Sequence, residues 1–345
     1  MEARIYKGLT NRDYVKGFMS GQWTLPIELR EFRPEDYGRL AHVFGSIFPD
    51  YDRTPEEWKF DDESLDKSKF HFKRYSCITK ESEDPVGFAQ CQHMPWMYHP
   101  KKLWFDIWVD PQHQRKGIGS ALYDRLIQDF RDLGTVTSWT GVKEDMPYPI
   151  KFATNRGFHE KMRAWESRLN PATVNLSAFQ KYAEKASQHR IQFVTLADEM
   201  RNDPACYSKL HSLVQSVSED IPRPEQFTPV SFEQWSAFEM KSPNLVPQGY
   251  MIAKDGDKYV GMSTVWKAQK DPKGLYQGLT GVIRDYRGRG IAVALKLKVI
   301  EFARNNKYEK LKTWNDSTNA PMLGINVKLG FKREVGWITF EKNLA

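Results

Sequence analysis

A glycine-rich segment occurs twice at a constant separation in this chain of 345 residues, and this repeat constrains the fold more than any other feature. Gln114-Arg115-Lys116-Gly117-Ile118-Gly119 returns as Arg287-Gly288-Arg289-Gly290-Ile291-Ala292, and Gly157-Phe158 returns as Gly330-Phe331. Both 290 − 117 and 330 − 157 equal 173. Two separate landmarks repeated at one spacing indicate the duplication of a whole domain rather than two chance clusters.

Composition is that of a soluble protein with two domains. A repeat of this length is large enough to bury its own core. Hydrophobic residues make up 40% and charged residues 28% of the chain, and no apolar run approaches the roughly 18 to 20 residues that cross a bilayer. The first residues contain no apolar stretch typical of a secretory signal, so we expect a cytoplasmic protein. Cys77, Cys91 and Cys206 lack metal-site or redox spacing, so we expect no disulfide and no metal.

The net charge of +7 and the pI near 9.0 are compatible with an acidic partner. The basic residues are spread over both halves, however, and acids interrupt them, as Glu309 does between Lys307 and Lys310. No nucleic-acid-binding motif accompanies the charge. We therefore expect neither a nucleic-acid nor a membrane partner, and a nucleic-acid-associated role stays an alternative.

Each half alternates between strand-like and helix-like patterns in the same order. The first half has strands near 27–33, 72–79, 86–94 and 103–109, and helices near 34–48 and 118–133. The second half has strands near 191–196, 250–254, 259–266 and 279–283, and helices near 205–217 and 291–305. An Asn-Pro stop at 170–171 and an amphipathic helix near 176–189 separate them. We predict an extension at 1–24, domains at 25–170 and 190–345, and a linker helix within 171–189.

In both halves the glycine segment lies where a strand leads into a helix. Such a turn presents unpaired backbone N–H groups at a helix N-terminus, where the helix dipole also favours negative charge. Glycines at 117, 119, 288 and 290 let a phosphate approach the main chain, and the neighbouring Arg and Lys side chains add positive charge. The pattern therefore predicts a diphosphate site in each half.

Two familiar phosphate loops do not fit these segments. A P-loop requires G-x-x-x-x-G-K-[ST], and neither segment has that spacing or the hydroxyl residue. A dinucleotide fold places G-x-G-x-x-G in its first βαβ unit, whereas several strands come first here. ATP and NAD are therefore disfavoured as ligands.

The motifs resemble motifs A and B of the GNAT acyltransferase superfamily. Val109-Asp110-Pro111-x-x-Gln114-x-x-Gly117-x-Gly119 carries the resemblance in the first half, and Val282-x-Arg284-x-Tyr286-Arg287-Gly288-Arg289-Gly290 carries it in the second. The resemblance implies an α/β (α+β) fold with two tandem GNAT-like domains, each a mixed, mostly antiparallel sheet flanked by helices. It also implies acetyl-CoA as cosubstrate. Its pyrophosphate would lie on the main chain of 115–120 and 288–293, and its pantetheine arm would pair with splayed strands ending at Val109 and Val282.

The cofactor-binding residues that this resemblance implies belong to the two glycine segments, the strand ends and the polar turn of the second half. They are Val109, Gln114, Arg115, Lys116, Gly117, Ile118, Gly119, Ser120, Val282, Arg287, Gly288, Arg289, Gly290, Ile291, Ala292, Asn315 and Asn319.

Acetyl transfer to an amine requires a base, an N–H donor for the thioester carbonyl and an acid for the departing thiolate. In the resembled family the acid is often a Tyr four residues before the Gly-Phe pair, and those positions are Ala153 and Asn326 here. Neither can act as that acid, so water or the substrate amine would supply the proton. The uncharged amides of Asn315, Asn319 and Asn326 favour catalysis in the C-terminal half. Helix capping or turn formation is the alternative role for each.

Candidate bases come from a loop after the first helix of the second domain. Glu219 and Asp220 lie there, in the loop that commonly walls the acceptor pocket in the resembled fold, and a solvated acidic turn is their alternative role. His93, His99 and His113 are candidates by residue type only. The predicted catalytic residues are thus Glu219, Asp220 and Asn326.

The functional prediction is an acetyl-CoA-dependent N-acetyltransferase acting on a primary amine, mainly through its C-terminal domain. A non-catalytic acyl-CoA-binding or regulatory protein is the main alternative, because Tyr is missing at both acid positions. A small-molecule amine is the expected partner. An aminoglycoside-like antibiotic, an amino acid derivative and a protein N-terminus all remain open as acceptors.

Overall fold

The computed structural model describes residues 26–51, 53–80 and 82–344. The predicted extension at 1–24 lies outside these residues. The chain divides into two compact units: unit 1 contains the described residues up to 94, 99–140 and the last residues from 343, and unit 2 contains 95–98 and 141–342. The predicted domain bounds refer to the repeats along the sequence and stay a prediction.

Unit 1 contains a mostly antiparallel sheet in the order β1-β2-β3-β4-β5, in which only β4 and β5 are parallel. Its elements are β1 Ile27–Glu31, α1 Tyr37–Ile47, α2 Pro55–Ser64, β2 Phe72–Thr79, β3 Ser82–Gln92, β4 Lys102–Val109, α3 Ile118–Asp132 and the start of β5 Thr137–Lys143.

Unit 2 contains strands in the order β12-β6-β11-β10-β9-β8-β7, and only β10 and β11 are parallel. Its elements are α4 Pro147–Thr154, β6 His159–Leu169, α5 Gln180–Gln188, β7 Ile191–Thr195, α6 Leu196–Asn202, α7 Cys206–Ser218, α8 Phe232–Trp235, β8 Met251–Asp255, β9 Lys258–Lys267, β10 Gly274–Val282, α9 Ile291–Asn305, β11 Lys310–Asp316, α10 Ala320–Leu329 and β12 Lys332–Asn343.

The sheet of unit 2 is covered on both faces because side chains alternate along its strands. Met251 and Ala253 of β8 pack into the apolar cluster that contains α9. Ile252, between them, packs into the cluster that contains α7. A mostly antiparallel sheet flanked by helices confirms the predicted α/β (α+β) fold class.

The sequence repeat did not predict the position of β6 in the sheet. This strand precedes the linker in sequence, yet it lies between β11 and β12 in unit 2. It pairs antiparallel with β11 from Leu311–Leu169 to Asp316–Ala164, and with β12 on its other edge. The last strand of the first sequence repeat therefore belongs to the sheet that carries the second glycine segment.

One helix is shorter than the sequence indicated, and another was not predicted. In the region expected to hold a linker helix, α5 begins at Gln180 after a 3₁₀ turn at Leu176–Phe179, and its Ala186 is fully buried against α9. Helix α2 was missed because its sequence is charged. Thr54 caps it by accepting from Glu57 N–H, and Glu57 returns a bond to Thr54 N–H at 2.7 Å.

Within the part of the chain that the structure describes, no helix is long and apolar enough to cross a membrane. Likewise, no group of three or more His, Cys, Asp or Glu residues in that part is arranged to hold a metal ion. Cys77, Cys91 and Cys206 are buried free thiols.

Candidate functional site

The two parallel strands in each unit stop pairing before the glycine segment. In unit 2, β10 and β11 pair only from Gly274–Lys310 to Tyr276–Lys312. In unit 1, β4 and β5 pair only from Lys102–Thr137 to Trp104–Trp139. Since β10 and β4 run on to Val282 and Val109, their far ends have no partner on that side within their own unit. The splayed strands expected from the sequence are present in both units.

The two glycine segments have the same backbone conformation. Gly117 and Gly290 are the N-caps of α3 and α9 and have φ of 88° and 80°. Two residues earlier, Arg115 and Gly288 have φ of 63° and 75°. Left-handed backbone at both positions turns the chain sharply into the helix, and glycine adopts it without strain whereas Arg115 does not.

Both loops end in a helix N-terminus whose first N–H groups have no partner within the helix. In α9 the amide of Ala294 donates to the Gly290 carbonyl at 3.0 Å, so the preceding amides lie N-terminal to the helical hydrogen bonds. In α3 the amides of Ser120 and Ala121 both donate to Gly117. The side chains of Ile118 and Ile291 are 1% exposed, which leaves only the backbone of these residues for a ligand.

The side chains of the motif are held mostly by backbone carbonyls. Gln114 Nε2 donates to Val109 O, and Arg287 Nε donates to Val282 O, both at 3.0 Å. In each unit, the side chain at this position of the motif therefore folds back and bonds to the end of the preceding strand. Nearby, Lys116 Nζ donates to a carbonyl within its own loop at 3.0 Å.

Further positive charge surrounds the second loop. Arg289 Nη2 donates to Asp285 O at 2.9 Å, which keeps its guanidinium beside the loop. The linker helix α5 lies on the same side: Lys185 Nζ donates to Gly288 O at 2.9 Å. Tyr182 lies next to Gly290, where a Cβ would be 3.3 Å from its ring, and its hydroxyl accepts from Lys328 at 3.1 Å. The cationic surroundings of this helix N-terminus suit a diphosphate.

Asn315 and Asn326 form a hydrogen-bonded pair between β11 and α10. Asn326 Nδ2 donates to Asn315 Oδ1 at 2.6 Å, and Asn326 is 1% exposed. The Oδ1 atom of Asn326 is buried without a hydrogen-bond partner among the described residues. An unpaired buried acceptor is costly, so this oxygen is suited to a donor from a ligand.

Asn319 has the helix-capping role that the sequence analysis gave as its alternative. It is the N-cap of α10, where its Oδ1 accepts from Met322 N–H at 3.3 Å. The capping bond satisfies one of the free N–H groups of the helix. Its assignment as a cofactor residue therefore stays a prediction that this contact does not support.

The candidate base Asp220 is held by two arginines. It accepts from Arg284 Nη2 at 2.7 Å and also from Arg287 Nη2. Hydrogen bonds from Arg284 and Arg287 lower the pKa of its carboxyl to about 2. A group so acidic is a poor proton acceptor near neutral pH, which disfavours Asp220 as the base. Glu219 is the exposed C-cap of α7.

Replacing Asp220 with asparagine is expected to leave the pH dependence of acyl transfer unchanged above about pH 4, because a carboxyl with a pKa of about 2 is ionised throughout that range. The KM for acetyl-CoA should change by less than about fivefold, since the lost ion pairs are exposed. The measurement is kcat/KM against pH, with Glu219→Gln as the paired variant. Loss of the acidic limb in Asp220→Asn alone would identify Asp220 as the base after all.

Two of the three histidines that the sequence offered by residue type have side chains bonded to backbone groups. His93 Nδ1 accepts from His71 N–H at 3.0 Å, and burial lowers the pKa of its imidazole. His99 Nδ1 accepts from a backbone N–H two residues later at 3.1 Å. His113 Nδ1 lies 3.8 Å from Asp110 Oδ1 beside the first glycine segment.

A cleft of about 500 Å³ in unit 2 opens at the end of β11. It is lined by Glu160, Lys161, Met162, Arg163, Pro222, Arg223, Asp316, Ser317 and Thr318. These residues come from β6, from the loop after α7, and from the end of β11 and the turn after it. The loop after α7 was expected to wall the acceptor pocket, but Arg223 and Asp316 were not recognised. The polar run Asn315-Asp316-Ser317-Thr318 after a strand was the available signal.

Both sequence repeats match one family description. Residues 39–158 and 207–331 match the acetyltransferase (GNAT) family. The chain belongs to this family, with two copies of its domain in tandem.

Curated relatives match only a short part of the chain. The ribosomal protein bS18-alanine N-acetyltransferases of Escherichia coli strain K12 and Salmonella typhimurium strain LT2 are 38% identical over 56 residues. That segment is 16% of this chain and 38% of each relative, so the chain spans well under half the length of the relatives it matches.

Solved structures match over nearly the whole chain. A tandem GNAT protein from the clavulanic acid biosynthesis pathway has a TM-score of 0.68 at 17% identity, covering 92% of this chain and 99% of that one. A GCN5-related N-acetyltransferase from Sphaerobacter thermophilus has a TM-score of 0.62 at 18% identity, covering 93% and 97%. At these identities the likeness shows the tandem fold.

Proposed function

We propose that this protein is an acetyl-CoA-dependent N-acetyltransferase that acylates a primary amine, with catalysis mainly in the C-terminal repeat. The observation that carries the proposal is the course of β10. This strand diverges from β11, contains a bulge and then enters the left-handed loop of Gly288 and Gly290. One strand thus combines a groove for an extended ligand, free backbone groups and a phosphate loop.

The residues present fit the cosubstrate. The first turn of α9 offers backbone N–H groups at a positive helix end, and Arg289 and Lys185 lie beside it. The buried Oδ1 of Asn326 has no partner among the described residues and suits an N–H of the pantetheine arm. Val282 would then lie at the start of the loop around the diphosphate, and Gly288 and Gly290 would lie towards its end.

The chemical step needs little from ionisable side chains. Bound acetyl-CoA supplies a thioester whose C–S bond breaks as the amine nitrogen bonds to the acyl carbon, and the proton lost by the amine goes to the thiolate. The bulge between Gln277 and Thr280 places Gly278 and Leu279 opposite the single residue Thr264 of β9. A backbone N–H freed there would polarise the thioester carbonyl.

The two repeats differ where catalysis would occur. In unit 1, β4 pairs with β3 from Gly87–Val109 to Gln92–Trp104 without a register shift. Its counterpart of Asn326 is the buried Ala153, which offers no polar group. We infer that the N-terminal repeat keeps a cofactor-type loop but lacks the bulge and the amide pair.

A non-catalytic acyl-CoA-binding or regulatory protein is the second candidate. The observation that favours it is the absence of a Tyr at both positions where the family often places its acid, Ala153 and Asn326. A cytoplasmic location, a small-molecule acceptor and the absence of nucleic-acid and membrane partners remain predictions from the sequence.

Calorimetric titration of the whole protein with acetyl-CoA is the first test. We expect binding at two sites, because both glycine segments have the same backbone conformation. A free-thiol assay with a panel of primary amines should then detect amine-dependent release of CoA. Binding without turnover of any amine would favour the second candidate, and no binding would overturn both.

A further inference from the structure

The cleft at the end of β11 contains one cation and one carboxylate oxygen that no other side chain among the described residues neutralises. Building on the proposed function, we propose that this cleft binds acceptor amines that also carry a carboxylate, with the acceptor carboxylate on Arg223 and its amino group on Asp316. The acceptor class is then a small aminocarboxylate, such as an amino acid or a close derivative.

Arg223 is fixed in place by backbone carbonyls. Its Nη1 donates to Ser218 O at 2.6 Å and to Ile221 O at 3.0 Å, and its guanidinium lies 4.9 Å from the centre of the Phe227 ring. No carboxylate pairs with it in the part of the chain that the structure describes. Burial lowers the pKa of the guanidinium. A positioned cation that lacks an anion gains stability when one binds, and the planar fork of arginine matches a carboxylate.

The other cations of the cleft are already paired. Arg163 contacts both Glu144 and Glu160. Lys161 Nζ lies 3.3 Å from Glu341 Oε1. Arg223 is therefore the cation in the described lining of the cleft that has positive charge to offer a ligand.

Asp316 offers the complementary charge. Its Oδ1 accepts from the Thr318 amide at 2.8 Å and from the Thr318 hydroxyl, while its Oδ2 has no partner among the described residues. The turn is tied to β6 because Ser317 N–H donates to Arg163 O at 2.8 Å. A carboxylate held in this way has one oxygen prepared for an ammonium or amine N–H.

The place of Asp316 connects the cleft to the acyl site. Asp316 follows Asn315 directly on β11, and alternation puts their side chains on opposite faces of the strand. Asn315 faces α10 through its bond to Asn326. An amine on Asp316 would therefore approach the splayed strands from the face opposite the amide pair.

The size and charge of the cleft exclude several acceptor classes. A volume of about 500 Å³ lies within the range of about 300–1,000 Å³ typical of small-molecule sites. A polycationic amine would be repelled by the unpaired guanidinium of Arg223, and a simple alkylamine would leave it without a counter-ion. A zwitterion of amino acid size satisfies both charges.

The test compares ω-amino acids from glycine to 6-aminohexanoate with the alkylamines of the same carbon chain. We expect the wild-type protein to favour at least one aminocarboxylate over its alkylamine by about 10- to 100-fold in kcat/KM, the effect of a charge-assisted hydrogen-bonded pair. Arg223→Gln should abolish this preference by lowering kcat/KM for the aminocarboxylate far more than kcat/KM for the alkylamine. Lys161→Gln, which removes an already paired cation from the same cleft, should retain the preference.

Asp316→Asn separates the two halves of the proposal, because asparagine keeps the Oδ1 that holds Thr318 and replaces only the free Oδ2. This variant should raise KM for aminocarboxylates and alkylamines alike. Equal losses for both classes in Arg223→Gln, or an equal loss of preference in Lys161→Gln, would overturn the proposal.

Calorimetry with the aminocarboxylates alone distinguishes failure of this proposal from failure of the proposed function. If no amine is acylated, binding of an aminocarboxylate to the wild-type protein that is lost in Arg223→Gln still supports the cleft assignment. If the wild-type protein acylates alkylamines and aminocarboxylates equally, the proposed function holds and the assignment fails. Absence of both binding and preference overturns the assignment.

Discussion

Replacing Gly290 with valine is expected to weaken acetyl-CoA binding at the C-terminal site by about a hundredfold or more. Valine at a φ of 80° costs about 1–2 kcal/mol of backbone strain. Its Cβ would also lie 3.3 Å from the Tyr182 ring and 3.4 Å from the Tyr182 carbonyl oxygen. The strained loop or Tyr182 must therefore shift, and each charge-assisted hydrogen bond that displaced amides lose is worth about 1.5–3 kcal/mol. Calorimetric titration with acetyl-CoA measures the effect.

Gly256→Val is the matched control for this change. Gly256 has a φ of 57°, so valine meets similar backbone strain, but a Cβ there has no atom within 4 Å and the residue lies in the turn between β8 and β9. This variant should bind acetyl-CoA normally even if its melting temperature falls. Unchanged affinity in Gly290→Val would show that the second loop does not bind the diphosphate.

Replacing Lys296 with methionine is expected to stabilise unit 2 near neutral pH and to destabilise it in alkali. Lys296 is 1% exposed, and burial lowers the pKa of its ammonium from 10.5 to about 7. Its Nζ donates to the buried Gln277 Oε1 at 2.6 Å and lies 5.0 Å from the centre of the Phe331 ring. No carboxylate contributes to the shift, so no opposite charge offsets the cost of removing this ammonium from water.

The sign of the pH dependence follows from proton binding. Between about pH 7 and 10.5 the unfolded chain binds more protons at Lys296 than the folded chain, so stability rises with pH across this window. The shift costs about 4 kcal/mol at pH 7 and little near pH 10.5. Methionine removes this cost but leaves Gln277 Oε1 unpaired, at about 1–3 kcal/mol. The net effect is a gain of about 1–3 kcal/mol near pH 7 that reverses near pH 10.

Urea unfolding followed by circular dichroism across this pH range tests the prediction. Lys298→Met is the control, because Lys298 lies on the same helix but is half-exposed and pairs with Glu301 at 3.0 Å. It should shift stability by less than about 0.5 kcal/mol at every pH. A pH-independent effect of Lys296→Met would mean that the amine stays protonated in the folded protein.

Local pattern predicted most of the strands and helices because their apolar periods are clear. Strand β2 has the bounds expected from the sequence, and α3 and α9 begin at the predicted residues. Helix α2 was missed since its residues are mainly charged, although the Thr54–Glu57 capping box and Pro55 indicated its start. The strands that pair with β6 could not be predicted from local sequence, because strand pairing depends on contacts between residues far apart in sequence.

The candidate site was likewise predictable only in part. The glycine loops were predicted because left-handed backbone at Gly117 and Gly290 has a local sequence signature. Side-chain partners have no such signature. The two arginines that hold Asp220, and the free oxygen of Asp316, appear only when α7, β10 and β11 are placed together. Whether the predicted contact residues touch acetyl-CoA stays a prediction.

The interleaving of β6 between β11 and β12 has a consequence for biosynthesis. Leu169, the last residue of β6, leaves the ribosome 141 residues ahead of Lys310, the first residue of β11. At about 5–20 residues per second, synthesis of β11 therefore begins roughly 7–28 s after β6 is complete. An exposed strand is a template for pairing with other chains during that time. Completion of this sheet is thus timed by translation, and neither gene half alone encodes it.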